Sequence, residues 1–91
     1  MKIKENLILK PMGDEFVVVP VGEGVIDFKI MVTLNETGAF LWNELLSEKN
    51  LDELTNKLLA EYNVDNETAK KDVAEFVDIL RNNNLIYEKD N

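Results

Sequence analysis

Apolar positions follow two periodicities along this chain, and the change from one to the other falls near residue 33. Leu7-Ile8-Leu9 and Phe16-Val17-Val18-Val19 are short runs of strand formers joined through Pro11-Met12-Gly13-Asp14, whose Gly-Asp pair is a hairpin turn signal. A second turn, Gly22-Glu23-Gly24, precedes an alternating stretch from Val25 to Val32. There Ile26, Phe28, Ile30 and Val32 share one face, and Val25, Asp27, Lys29 and Met31 the other, which predicts a half-buried strand. Tight connections between consecutive strands predict a three-stranded antiparallel meander. Such a sheet needs a helical layer over its apolar face.

From residue 33 the spacing becomes helical. Thr33 and Glu36 have the separation of a capping box, predicting a helix from near Leu34 with a wide apolar face at Phe40, Leu41, Leu45 and Leu46 and with Trp42 on its flank. Gly38 would let another backbone approach. Asn50 and Glu53 repeat the capping pattern before Leu51, Leu54, Leu58 and Leu59, predicting a second helix from Leu51 to Tyr62. Asp65 is an N-cap candidate for a third, with Glu67 in its first turn, where negative charge complements the macrodipole. Ala69, Val73, Phe76 and Leu80, with Val77 beside them, make this the best-defined amphipathic helix. Asn82-Asn83-Asn84 should end it, because Asn tolerates the left-handed conformation common at helix ends. Leu85-Ile86-Tyr87 then returns to the core or adds a short strand. The fold class expected is α+β and winged-helix-like: strands over about 7–32 and helices over about 34–82 within one domain spanning 1–91.

Composition narrows the function. The chain has 91 residues, 45% of them apolar, enough for one modest core. Eighteen acids against ten bases give a formal charge of −8, a field that repels phosphate backbones and anionic lipid. With no Cys and no His, thiolate chemistry, the commonest metal ligand and the usual neutral-pH acid–base group are missing, so neither a metal nor another cofactor is expected. No signal peptide or membrane-spanning run is apparent, and a cytoplasmic, non-enzymatic protein is the expectation. A winged-helix DNA-binding regulator would want a basic recognition helix, whereas Asn66 to Asn82 holds more acids than bases. Asp52, Glu53, Asp65, Glu67, Asp72, Glu75 and Asp78 read as a solvated, dipole-complementing set rather than acid–base groups. Trp42, Phe40 and Leu45 read as core.

Three blocks together resemble the PqqD-like proteins, small peptide chaperones first known from pyrroloquinoline-quinone biosynthesis. Leu34-Asn35-Glu36-Thr37-Gly38 followed by Leu41-Trp42 and Leu45 is similar to that family's Leu-Asn-x-Thr-Gly…Trp-x-x-Leu signature. Leu51-Asp52-Glu53-Leu54 is similar to its second-helix start, and Asp72-Val73, Phe76, Leu80 and Leu85-Ile86 to its closing block. Asn84 stands where the family usually has Gly, and Ser47-Glu48-Lys49-Asn50 replaces a common Asp-Gly turn. The resemblance implies recognition of the leader segment of a ribosomally made precursor peptide, which adds as a strand to the sheet edge beside the third helix. The complex then serves a modifying enzyme, often a radical S-adenosylmethionine protein. A generic protein-interaction subunit is the alternative.

Carried onto this sequence, the resemblance gives the strand Val25, Ile26, Asp27, Phe28, Lys29, Ile30 and Met31 as the peptide-pairing edge. Helical geometry adds a stripe beside the core positions of the third helix, made of Lys70, Ala74, Val77 and Arg81. Small apolar residues between two cations would suit the groove wall for an extended acidic peptide.

Overall fold

A computed structural model of the chain describes residues 1–22 and 30–88. A three-stranded antiparallel sheet is followed by three helices, the α+β arrangement expected, and a second, two-stranded sheet joins the two ends of the described chain. The larger sheet has the order β2–β3–β4, with β2 at Leu7–Met12, β3 at Glu15–Pro20 and β4 at Val32–Leu34. Gly13, at φ +62°, takes the first position of the turn between β2 and β3, where a side chain would be strained. Val18 at the centre of β3 has no solvent exposure, and its neighbours Val17 and Val19 are buried as well, as suits a central strand. The smaller sheet pairs β1, Lys2–Ile3, with β5, Ile86–Tyr87. The hook after the last helix is therefore a strand. Its partner β1 was not expected from the sequence, because two residues carry no readable alternation.

The change from strand to helix comes later than the sequence suggests. Thr33 and Leu34 close β4 against Val17 and Phe16, and the N-cap of α1 (Glu36–Glu44) is Asn35, whose side chain accepts a hydrogen bond from the Gly38 N–H at 2.8 Å. Asn35 is as good a cap as Thr33, and choosing it leaves Leu34 free to fill the core from the strand. Gly38 is needed for a side chain rather than another backbone: a Cβ there would stand 3.1 Å from the Leu34 Cβ. The expected turn at Glu23-Gly24 and the stretch Val25, Ile26, Asp27, Phe28 and Lys29 lie outside the described residues. Ile30 and Met31 are exposed and lead into β4.

The other two helices start where the pattern puts them. Asn50 and Glu53 form a reciprocal capping box at the head of α2 (Leu51–Glu61), and Asp65 caps α3 (Asn66–Asn82) by accepting from the Thr68 N–H at 2.7 Å. Asn84, at φ +59°, ends α3 in a Schellman motif: its own N–H reaches the Arg81 carbonyl, and that of Leu85 reaches Leu80. Asn thus performs the turn for which Gly is the usual residue. Leu80 and Leu85, brought together by that turn, join Trp42, Leu45, Leu54, Leu58, Val73 and Phe76 in one core, with Phe40 and Tyr62 meeting edge to face at its rim.

Candidate functional site

β4, the last strand of the larger sheet, and α3 do not close on each other. Between them lies an open cleft of about 370 Å³. Thr33 and Leu34 of β4 form one side, and Asp72, Glu75, Phe76 and Ile79 of α3 the other. The α1 cap Asn35, the α1 residues Thr37, Gly38 and Leu41, and Glu15 of β3 line it as well. Phe76 and Leu41 are buried, so the base of the cleft is apolar, while Ile79 is 39% exposed and offers a hydrophobic side chain to an incoming group.

β4 brings unused backbone to this cleft. The Val18 carbonyl accepts from the Met31 N–H at 2.9 Å, so it points toward β4. Backbone polar groups alternate in direction along a strand, so the Phe16–Leu34 and Val18–Val32 pairs face each other and Thr33 directs its N–H and C=O to the outer edge. Among the described residues no further strand pairs there. An extended chain laid along β4 would find a backbone donor and acceptor on one side and the apolar and acidic face of α3 on the other.

The stripe expected to wall a groove is elsewhere. Relative to Phe76, the residues Asp72, Glu75 and Ile79 lie about 40–100° to one side of α3, whereas Val77, Lys70, Arg81 and Ala74 lie about 100–160° to the other. Val77 has no exposure and belongs to the core, so it cannot form a wall. Lys70 and Ala74 are exposed to solvent away from the cleft. The Arg81 guanidinium is already engaged, at 2.7 Å from Glu88 and 3.5 Å from Asp78. Hydrogen bonding to Glu88 raises the Arg81 pKa and lowers that of Glu88. Periodicity located the buried arc of the helix but not which of its borders is open. One signal was present: Ile79 is apolar yet stands off the Ala69–Val73–Phe76–Leu80 stripe, on the border that faces the cleft.

Among the described residues no Ser, Cys, His or Lys lines the cleft, and no group of His, Cys, Asp and Glu side chains is placed to hold a metal ion. Nor is any helix among those residues long and apolar enough to cross a membrane.

Residues 15–86 match the model of the family described as "Coenzyme PQQ synthesis protein D (PqqD)". A solved structure, TbiB1 in complex with the TbiA(beta) leader peptide, shares the fold over 100% of both chains with a TM-score of 0.72 and 25% sequence identity. No curated protein sequence matches.

Proposed function

The chain belongs to the PqqD family, and from that premise we propose that it is a non-catalytic, cytoplasmic peptide chaperone that captures the leader segment of a ribosomally made precursor peptide. The leader adds as a strand to the outer edge of β4, alongside Ile30, Met31 and Thr33, and covers the cleft against α3. Backbone hydrogen bonds supply generic affinity and the α3 side chains supply selection. The bound precursor is then presented to a modifying enzyme, for which a radical S-adenosylmethionine enzyme is the leading candidate class. The observation that carries this reading is the open cleft between α3 and a strand edge that is unpaired among the described residues, in a fold shared end to end with a protein solved in complex with a leader peptide.

Calorimetric titration with the leader of a candidate precursor, sought as a short reading frame beside this protein's gene, tests it. The parent should bind, and Thr33→Pro, which removes the outward backbone donor from a strand edge that tolerates proline, should bind at least about tenfold more weakly with unchanged circular dichroism. Full affinity in the folded Thr33→Pro variant would move the leader to another surface. Adding the modifying enzyme should give a ternary complex that depends on the leader, and modification of the precursor without this protein would remove the presenting role.

A further inference from the structure

The cleft carries a charge opposite to the one its ligand should have. Three carboxylates border it: Asp72 and Glu75 along α3, and Glu15 at the start of β3. No Lys or Arg is among the described residues lining it. Among the described residues the one ion pair of Glu75 is with Lys71, at 4.0 Å across an exposed turn of the helix, and neither Asp72 nor Glu15 takes part in any. Among the described residues these acids are not balanced by neighbouring cations, although Arg81 on the other flank of the same helix is held by two carboxylates.

Resting on the reading of the cleft as the leader site, we propose that the peptide it selects is basic at this point: an extended segment with a Lys or Arg two residues from an apolar side chain, both turned toward α3. The spacing is set by the helix. Glu75 and Ile79 are four residues apart, an axial rise of about 6 Å. Side chains on one face of an added strand repeat every two residues, or about 6.6 Å. A strand running along α3 therefore sets a cation beside Glu75, within reach of Asp72, and in the same register an apolar residue over Ile79 and Phe76. The opposite arrangement would bring a peptide carboxylate against three carboxylates in a partly desolvated cleft, and like-charge contact of that kind selects strongly against a partner. The protein's overall charge of −8 acts in the same sense at longer range.

Anisotropy titrations with matched synthetic peptides decide it. The peptides share an alternating Val/Thr frame with one Ile on the α3-facing side, and differ only in whether the residue two positions away is Lys, Gln or Glu. The Lys peptide should bind about tenfold tighter than the Glu peptide at low salt, the preference should shrink with added salt, and it should nearly vanish in Asp72→Asn/Glu75→Gln. Glu5→Gln/Glu61→Gln, which removes the same charge at residues that do not line the cleft, should keep it. Equal binding of all three peptides, abolished by Thr33→Pro, would overturn the charge preference while leaving the leader site standing. A Lys preference that survives Asp72→Asn/Glu75→Gln would assign it to the general field and overturn the local proposal. Failure of every peptide to bind, or binding untouched by Thr33→Pro, would remove the site itself and the inference with it.

Discussion

The two flanks of α3 begin as near equals in the sequence and end in opposite situations. On one, Val77 is sealed into the core and Arg81 is bound by Glu88 and Asp78. On the other, Ile79 is part-exposed between Asp72 and Glu75 at the rim of a cleft. The difference lies outside the helix. β4 ends at Leu34, and the side of it turned away from β3 runs past α3 without closing on it. A helix's periodicity fixes the centre of its buried arc; which border stays open is decided by the element that stops short of it.

The sharpest way to break this contrast is to place the same charge on each flank. Val77→Asp buries a carboxylate where there is no solvent and no partner, and should cost on the order of 3–5 kcal/mol of folding stability, enough to unfold a domain of this size or nearly so. Urea denaturation of the variant against the parent reads this directly. A loss below about 1 kcal/mol would mean that Val77 is not core and that the closed flank is open after all.

Ile79→Asp should reverse the pattern. Its side chain already meets water, so the folding loss should stay within about 1 kcal/mol, while leader binding falls by about 2 kcal/mol through the lost apolar contact and an added carboxylate in an acidic cleft. Calorimetry with the leader measures the second number and urea denaturation the first. If Ile79→Asp binds like the parent, α3 does not contact the ligand on this flank.

Much of this contrast was hidden in the sequence, for identifiable reasons. The cap at Asp65, the capping box at Asn50 and Glu53, the left-handed Asn84 and the core stripe of α3 were all legible, because each depends on residues within a turn or two of one another. The start of α1 was misplaced by two residues because Thr33 and Asn35 are both competent caps, and only the pairing of Leu34 with Phe16 distinguishes them. β1 was missed because its stability comes from β5, more than eighty residues away. The cleft was legible in part: the sheet edge beside the third helix follows from the resemblance to the PqqD-like proteins. The flank of α3 that meets it depends on where β4 ends in space, and the Lys70 and Arg81 stripe read from helical spacing does not line it.

A smaller effect is expected from opening the closed flank by charge alone. Arg81→Glu replaces a paired guanidinium with a carboxylate beside Glu88 and Asp78. Because these groups are 37% or more exposed, solvent screening limits the folding loss to about 1 kcal/mol or less, shrinking further as salt rises. Leader affinity should be nearly unchanged, since Arg81 does not border the cleft. A large, salt-sensitive loss of binding instead would return the ligand to the Lys70–Arg81 flank.

The smallest effect is the pH dependence of the two carboxylates that fasten α3, Asp65 at its head and Glu88 beside its tail. Hydrogen bonding from Thr68, through its side chain and then its backbone N–H, holds Asp65 below the usual carboxylate range, and hydrogen bonding from Arg81 does the same for Glu88. A carboxylate whose pKa is lower folded than unfolded contributes stability that is complete above its unfolded value, near about 4, and that disappears as the pH falls through the folded value. Urea midpoints should therefore be flat from neutrality to about pH 5 and decline below about pH 4. Asp65→Asn keeps an N-cap acceptor but cannot titrate, so its decline should be shallower than the parent's; Glu88→Gln should likewise be shallower and start from a slightly lower plateau, having lost the ion pair with Arg81. Acid limbs that stay parallel to the parent's in both variants would show that neither carboxylate is coupled to folding, and that the closed flank of α3 is held by Val77 and its core neighbours alone.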